Sequence, residues 1–177
     1  MANFIETCFA YVRERYGGEQ KLKEKRAVLV FESTVNGYHY FRIRPLVGTE
    51  MPMFLQEEEN NSYDENAILV RIPSKTFFPD LNKEKETKDG QSVADVLGKV
   101  VGRLPRNVAE VIKAAITSEE MTHSFVFYTG NIVHGGQRAG GGVKLHCVFV
   151  TFIKHASVQD IKTRLEAIGL DVASLYA

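Results

Sequence analysis

Two short polar segments of this sequence carry residue types that bind sugars and phosphates. A turn-like stretch beginning at Asn61 holds Tyr63 and Asp64, and a later basic stretch holds Arg103 and Arg106 on either side of a Leu-Pro pair. A carboxylate suits a sugar hydroxyl and repels a phosphate, whereas arginine offers a fork of donors to a phosphate. If the two stretches meet, they make a pocket for a sugar-phosphate end. The alternative is two ordinary loops, because Asn and Asp side chains readily bond to nearby backbone.

Aromatic side chains precede both segments. Residues 37–43 are predicted to form a strand with the alternating aromatics Tyr38, Tyr40 and Phe41. Because neighbouring strand residues point to opposite faces, at most one of Tyr40 and Phe41 is expected in the core. An exposed ring on a barrel strand is a stacking platform for an unpaired base. The alternative is that all three rings pack against flanking helices.

The rest of the chain predicts the elements that must position these residues. Helices are predicted at residues 3–16, after Pro105, and at residues 158–168. Strands are predicted at residues 27–31, 53–56, 67–72, 99–104, 124–128 and 143–153. Several short strands with one central helix and helical ends predict an α+β fold, a small antiparallel β-barrel with flanking helices.

The predicted organisation has three parts. An amphipathic helix and a charged linker occupy residues 1–26, the barrel domain occupies residues 27–155, and a C-terminal helix occupies residues 156–177. Within the barrel domain, residues 74–98 break the pattern with many charges and are expected to form a surface insertion.

Composition limits the classes of function. Lys and Arg number 22 and Asp and Glu number 22, so the net charge is zero and no global field attracts a polyanion. Any nucleic-acid site must therefore be local. Cys8 and Cys147 lie far apart, which suggests no disulfide scaffold, and no apolar run reaches the roughly 18 residues of a membrane span. An intracellular location without membrane contact is expected.

Catalytic patterns are weak. Pro79-Asp80 followed by Glu86-Thr87-Lys88 loosely echoes a metal-dependent nuclease, but metal-binding carboxylates need rigid strands and these lie in the charged insertion. His146 and Cys147 are neighbours on a predicted strand, so their side chains face opposite ways and cannot form a dyad. The histidines lack zinc-ligand spacing. We expect no catalytic residue, no metal and no cofactor.

Three blocks, in order, resemble the HIRAN domain family, and a fourth extends the likeness to roughly residues 28–153. The blocks are Gly37-Tyr38-His39-Tyr40-Phe41, Asn60-Asn61-Ser62-Tyr63-Asp64-Glu65-Asn66-Ala67-Ile68, Val101-Gly102-Arg103-Leu104-Pro105-Arg106, and Gly140-Gly141-Gly142-Val143-Lys144-Leu145-His146-Cys147. The chain looks most similar to the stand-alone members found in animals. The resemblance implies an OB-like barrel that holds the 3′ end of single-stranded DNA.

The resemblance also implies roles for particular residues. Tyr40 and Phe41 match the adjacent aromatics that engage bases, and His39 stands where the family has an arginine. Tyr63 and Asp64 match the pair that meets the terminal sugar and its hydroxyl, and Asn61 lies beside them in the sequence. The basic residues after the strand glycine are matched by Arg103 and Arg106. Two features depart from the helicase-fused relatives: glycine replaces an aromatic around residues 140–142, and no motor segment is present.

The sequence therefore predicts a non-catalytic module that binds single-stranded DNA and prefers a free 3′ hydroxyl, and the DNA hypothesis alone would place it in the nucleus. The first alternative is a protein-interaction module that uses the amphipathic terminal helices, residues 3–16 and 158–168. The second, more remote alternative is a metal-dependent nuclease.

Overall fold

A seven-stranded antiparallel sheet forms the centre of the protein, as seen in a computed structural model that describes residues 2–74, 85–134 and 142–177. The strands are β1 (Ala27–Val35), β2 (Met53–Glu57), β3 (Ile68–Arg71), β4 (Val100–Arg103), β5 (Met121–His134), β6 (Val143–Ile153) and β7 (Val172–Leu175). The helices are α1 (Ala2–Arg15), α2 (Glu19–Lys25), α3 (Tyr38–Phe41), α4 (Val93–Val96), α5 (Arg106–Thr117) and α6 (Val158–Ala167). In space the strands follow the order β4-β3-β2-β5-β6-β1-β7.

The middle of the sheet is covered on both faces, which explains why β6 is apolar at almost every position. Along β6, Cys147 and Phe149 point into the larger core, which α5 and α6 complete. Their neighbours Val148 and Val150 point to the opposite face, where they pack against α1 and α2. From Cys147 onward the strand alternates between two buried layers, so this part of its sequence shows no polar face.

The barrel is loosely closed. The strand β4, at one end of the order, meets the residue that follows β1 at one bridge, where the amide of Asn36 donates to the Arg103 carbonyl at 2.8 Å and the amide of Arg103 donates back at 2.9 Å. The rest of the sheet stays open, because β7 pairs with the other half of β1. The predicted α+β class with an OB-like antiparallel barrel is confirmed, with this incomplete closure added.

The terminal helices α1 and α6 bury their apolar faces against the rest of the protein. Cys8 and Val12 of α1 are buried against the outer sheet face, and Ile161 and Leu165 of α6 are buried in the larger core. The C-terminal segment, predicted as a helix alone, also contains β7, which pairs with β1. Within the described residues, we find no helix with the length and apolar character that crossing a bilayer requires.

The prediction of a strand over residues 37–43 is wrong, because α3 occupies this segment. Gly37 (φ 100°) and Arg42 (φ 56°) bracket the helix, both in the left-handed region. The Gly37 carbonyl accepts the amides of Tyr40 and Phe41, each at 2.9 Å. A glycine that reverses the chain directly after β1 therefore overrode the strand pattern of the aromatics.

The second half of the predicted insertion is part of the folded domain. Residues 75–84 lie outside the described residues. From residue 85 onward, Glu86 bridges to Ser92, and α4 follows with Val93 and Val96 fully buried. These valines belong to the larger core, so this half is a structural segment and not only a surface loop.

Candidate functional site

The short helix α3 presents two aromatic rings next to each other. Tyr40 is 74% exposed and Phe41 is half-buried, and their rings meet edge to face with centroids 4.9 Å apart. The expected exposure of one ring is present, although a helix and not a strand produces it. Phe41 packs closely over Gly37, where an added Cβ would lie 3.1 Å from the ring. Gly37 thus lets Phe41 fold back while Tyr40 faces solvent.

Tyr38 anchors the other side of α3. Its ring packs at the edge of the larger core, and its hydroxyl donates to Asp89 Oδ1 at 2.9 Å. This hydrogen bond to a carboxylate is the main cause that raises the pKa of Tyr38, since it favours the neutral phenol. The half of the insertion that the structure describes therefore holds α3 from the side.

The turn after β2 is a double Asx turn. Asn61 Oδ1 accepts the amides of Tyr63 at 2.9 Å and Asp64 at 3.0 Å, and Asp64 Oδ1 accepts the amide of Asn66 at 3.0 Å. Asn and Asp side chains commonly form such hydrogen bonds to nearby backbone amides in loops, so no ligand is needed to explain the local conformation. The consequence is that the Tyr63 ring stands 91% exposed, with the Asp64 carboxylate beside it.

Arg103 lies between the aromatic helix and this turn. Its Nε and Nη2 donate to the two carboxylate oxygens of Glu58 at 2.7 and 2.8 Å, and its guanidinium lies 5.3 Å from the centroid of the Phe41 ring. Glu58 also accepts a bond from Asn61 Nδ2 at 3.3 Å. One partly buried carboxylate thus ties the Asx turn to Arg103 of β4, whose guanidinium in turn lies over a ring of α3.

The ion pair shifts the pKa values of both Glu58 and Arg103. The hydrogen bonds from Arg103 lower the pKa of Glu58, and the hydrogen bonds to Glu58 raise the pKa of Arg103, in each case against the opposing effect of burial. Both groups are therefore charged at neutral pH. The positive charge of Arg103, which sequence analysis assigned to phosphate, already has a carboxylate partner.

Arg106 completes the site from the start of α5. Its Nη2 donates to the Tyr63 carbonyl at 2.9 Å, and its Nε lies 3.7 Å from Asp64 Oδ2. Its side chain remains 68% exposed. The Asx turn, Arg106 and Glu110 surround an open hollow of about 600 Å³.

His39 faces a second hollow, of about 640 Å³, on the far side of α3. Its ring lies against the start of β6, where an added Cβ on Gly142 would be 3.3 Å from Nδ1. Arg42 and Asp89 also line this hollow. Residues 135–141, which include most of the glycine-rich loop singled out in the sequence, lie outside the described residues.

The structure thus brings the predicted residues onto one connected surface, except His39, which faces the hollow on the far side of α3. Tyr40 touches Phe41, Phe41 lies over Arg103, and the path continues through Glu58 to the turn and to Arg106. Sequence reasoning missed Glu58, Arg42 and Asp89. Glu58 stands in a run of three glutamates, and only the pairing of β2 with β3 and of β3 with β4 distinguishes it from its neighbours.

The remaining candidates for chemistry are two buried cysteines and one partly buried histidine. Cys8 and Cys147 are buried, and burial raises the pKa of the Cys8 thiol to about 12 and raises that of Cys147 as well. His146 pairs with Glu32, with Nε2 3.2 Å from the carboxylate. Across the described ranges, no group of three or more ligating side chains could hold a metal ion. Pro79 and Asp80 of the nuclease-like pattern fall outside those ranges.

The chain is similar to a known domain family and to solved structures of one of its members. The family model for the HIRAN domain matches residues 28–137, which include every predicted site residue. The crystal structure of the HIRAN domain of human HLTF is similar over 84% of this chain and 97% of that chain, with 17% identity and a TM-score of 0.53. The NMR structure of the HLTF HIRAN domain has 15% identity over 86% of this chain and 99% of that one, with a TM-score of 0.48. No curated protein matches the chain.

Proposed function

The chain belongs to the HIRAN domain family, and from this premise we propose that it binds single-stranded DNA at a free 3′ hydroxyl without performing catalysis. HIRAN domains are DNA-binding modules. The preference for a 3′ end is our inference for this chain, and a nuclear location follows from the proposed ligand.

One observation supports this function most strongly, namely that the exposed aromatics and the carboxylate-containing turn are joined through Arg103 and Glu58 in a single surface. The exposed Tyr40 ring offers a stacking face to a base, and Phe41 supports it from below. Asp64 offers carboxylate oxygens to a terminal sugar hydroxyl and disfavours a phosphate at the same place. Arg106 is exposed beside Asp64 and reaches the preceding phosphate.

The protein-interaction alternative receives less support. The apolar faces of α1 and α6, which this alternative would offer to a partner, are packed against the sheet. A partner would have to use their polar sides. The nuclease alternative keeps no support from the described residues, since Glu86 is exposed at the edge of a turn.

The test is fluorescence anisotropy with 5′-labelled oligonucleotides that end in a 3′ hydroxyl or a 3′ phosphate. We expect the wild type to prefer the hydroxyl end and Asp64→Asn to weaken this preference. Asparagine at position 64 can still accept the Asn66 amide, so the turn should persist. Asp171→Asn is the matched control, because it makes the same chemical change at an exposed site between α6 and β7.

Three outcomes would contradict the proposal. Equal affinity for both ends would exclude recognition of the terminus. Absence of binding by a folded protein would favour a protein partner. Cleavage of the oligonucleotide that depends on added metal would favour the nuclease.

A further inference from the structure

The cationic groups of the site are already matched by carboxylates. Arg103 is paired with Glu58 through two hydrogen bonds, and Arg106 lies within 3.7 Å of Asp64. Summed over these four side chains, the charge is zero. The site therefore does not resemble the cluster of unpaired bases that usually binds phosphate.

Arg103 and Arg106 differ in how closely a carboxylate holds the guanidinium and in how far the side chain is exposed. Glu58 is the most buried of the four, with a side chain 19% exposed, and it takes two of the donors of the Arg103 fork. Arg106 is 68% exposed and faces its carboxylate at a distance longer than a hydrogen bond. A phosphate can therefore approach Arg106, whereas at Arg103 it meets a guanidinium whose Nε–Nη2 edge is in use and a carboxylate charge beside it that repels it.

Glu58 is also held in place from the side of the turn. The Asn61 amide donates to it at 3.3 Å, while the same side chain fixes the amides of Tyr63 and Asp64. The carboxylate cannot leave Arg103 without loosening the turn that positions the proposed sugar site. A DNA 3′ end that leaves the contact between Glu58 and Arg103 intact must be uncharged where it faces Arg103, because a phosphate there would be repelled by Glu58.

We propose that Glu58 is a selectivity residue of this site: by occupying the Arg103 fork, it excludes a phosphate from the centre of the surface, so that a hydroxyl end is accepted and a phosphorylated end is rejected. This inference rests on the proposed function. It assigns rejection of phosphate to a residue that touches no ligand directly and acts through Arg103.

The test compares Glu58→Gln with the wild type on the same two oligonucleotides. Glutamine keeps the size of the side chain and removes its charge, which frees the fork for phosphate oxygens. Affinity for the 3′-phosphate end should rise about tenfold, with little change for the hydroxyl end. The dependence of affinity on salt should steepen by about 0.7 in log-log slope for the phosphate end, because one more phosphate contact forms.

Two further variants separate this role of Glu58 from a general effect of negative charge near the site. Glu59→Gln removes the same charge from the exposed neighbour and should leave the preference unchanged. Arg103→Gln makes the opposite change, because it leaves the Glu58 charge uncompensated, and it should strengthen rejection of the 3′ phosphate. Arg103→Gln also keeps the inference testable if Glu58→Gln does not fold.

The outcomes that overturn the inference differ from those that overturn the proposed function. Equal losses of affinity for both ends in Glu58→Gln would show that Glu58 only supports the fold. The same gain in Glu59→Gln would show a general effect of charge. A weaker rejection of phosphate in Arg103→Gln would also oppose the inference. Failure of the wild type to bind either oligonucleotide would instead remove the proposed function itself.

Discussion

At the scale of single residues, the Tyr40 side chain contributes little to the packing of the fold. Three quarters of its surface is open to solvent, and within the described residues its ring meets that of Phe41 edge to face. Its removal should therefore cost little stability while removing a stacking face. We expect Tyr40→Ala to weaken binding of single-stranded DNA by about 1–3 kcal/mol, roughly 5- to 150-fold, in anisotropy titrations.

Tyr40→Phe is the control, because it keeps the ring and loses only the hydroxyl. It should bind nearly as well as the wild type, and both variants should melt close to the wild-type temperature. If Tyr40→Ala bound DNA normally, the exposed ring would have no part in recognition.

Glu58 gives a prediction about pH. Its carboxyl pKa is lowered from an ordinary value of 4.5 by Arg103, so the folded state favours its charged form. The stabilisation is then complete above the ordinary value and is lost as the pH falls through the lowered one. The difference in free energy of unfolding between wild type and Glu58→Gln should be constant above about pH 5 and shrink toward pH 3 in denaturant titrations. A difference that grew on acidification would contradict the pairing.

At the scale of elements, the Asx turn depends on one side chain. Asn61 supplies the acceptor for two amides and the donor for Glu58. We expect Asn61→Ala to destabilise the protein by about 1–2 kcal/mol and to raise hydrogen exchange at the amides of Tyr63 and Asp64. Asn61→Asp keeps the acceptor oxygens and should retain this protection. Unchanged exchange in Asn61→Ala would mean that the turn does not need the side chain.

The meeting of β1 with β4 explains the glycine of the third sequence block. A Cβ on Gly102 would lie 2.2 Å from the Asn36 carbonyl oxygen, directly at the bridge that closes the barrel. Gly102→Ala should therefore destabilise the fold by about 1–3 kcal/mol or more in urea unfolding. Ser174→Ala, on the exposed part of β7, should have almost no effect. A fully stable Gly102→Ala would indicate that the bridge is not needed.

Elements with a strong local pattern were predictable from the sequence. The β6 strand occupies the predicted residues 143–153, and α5 begins right after Pro105 as expected. The α3 helix was not predictable from its own aromatics, because a left-handed glycine before it decides the conformation. The short strand β7 has two exposed residues and little apolar pattern, so only its pairing with β1 defines it.

The site was predictable to the level of residue types, and its electrostatics were not. Blocks of sequence identified the aromatics, the turn and the arginines, and the structure joins them. The partner of Arg103 follows from how three strands pair, since β3 lies between β4, which ends at Arg103, and β2, which Glu58 directly follows. Three consecutive glutamates give the same local signal, so spacing alone cannot select Glu58.

At the scale of the whole molecule, charge is balanced globally and also within the site. The chain carries 22 basic and 22 acidic residues, and the nearby Lys113 is paired with Glu57 at 2.7 Å. Attraction to the phosphate backbone is therefore weak at long range. Affinity must come from stacking and from the few contacts at the strand end, which suits a module that selects an end over an internal stretch.

This balance sets the expected dependence on salt. If Arg106 alone meets a phosphate in the wild type, the slope of log affinity against log salt concentration should be about 0.7 in magnitude for a single strand. Arg106→Gln should reduce the slope by about 0.7, because one phosphate contact is lost. Lys23→Gln, on the exposed side of α2, should leave it unchanged. Anisotropy titrations between low and moderate salt measure this directly. A slope steeper than about 3 would reveal a longer basic path along the strand, and binding would then no longer depend on the terminus.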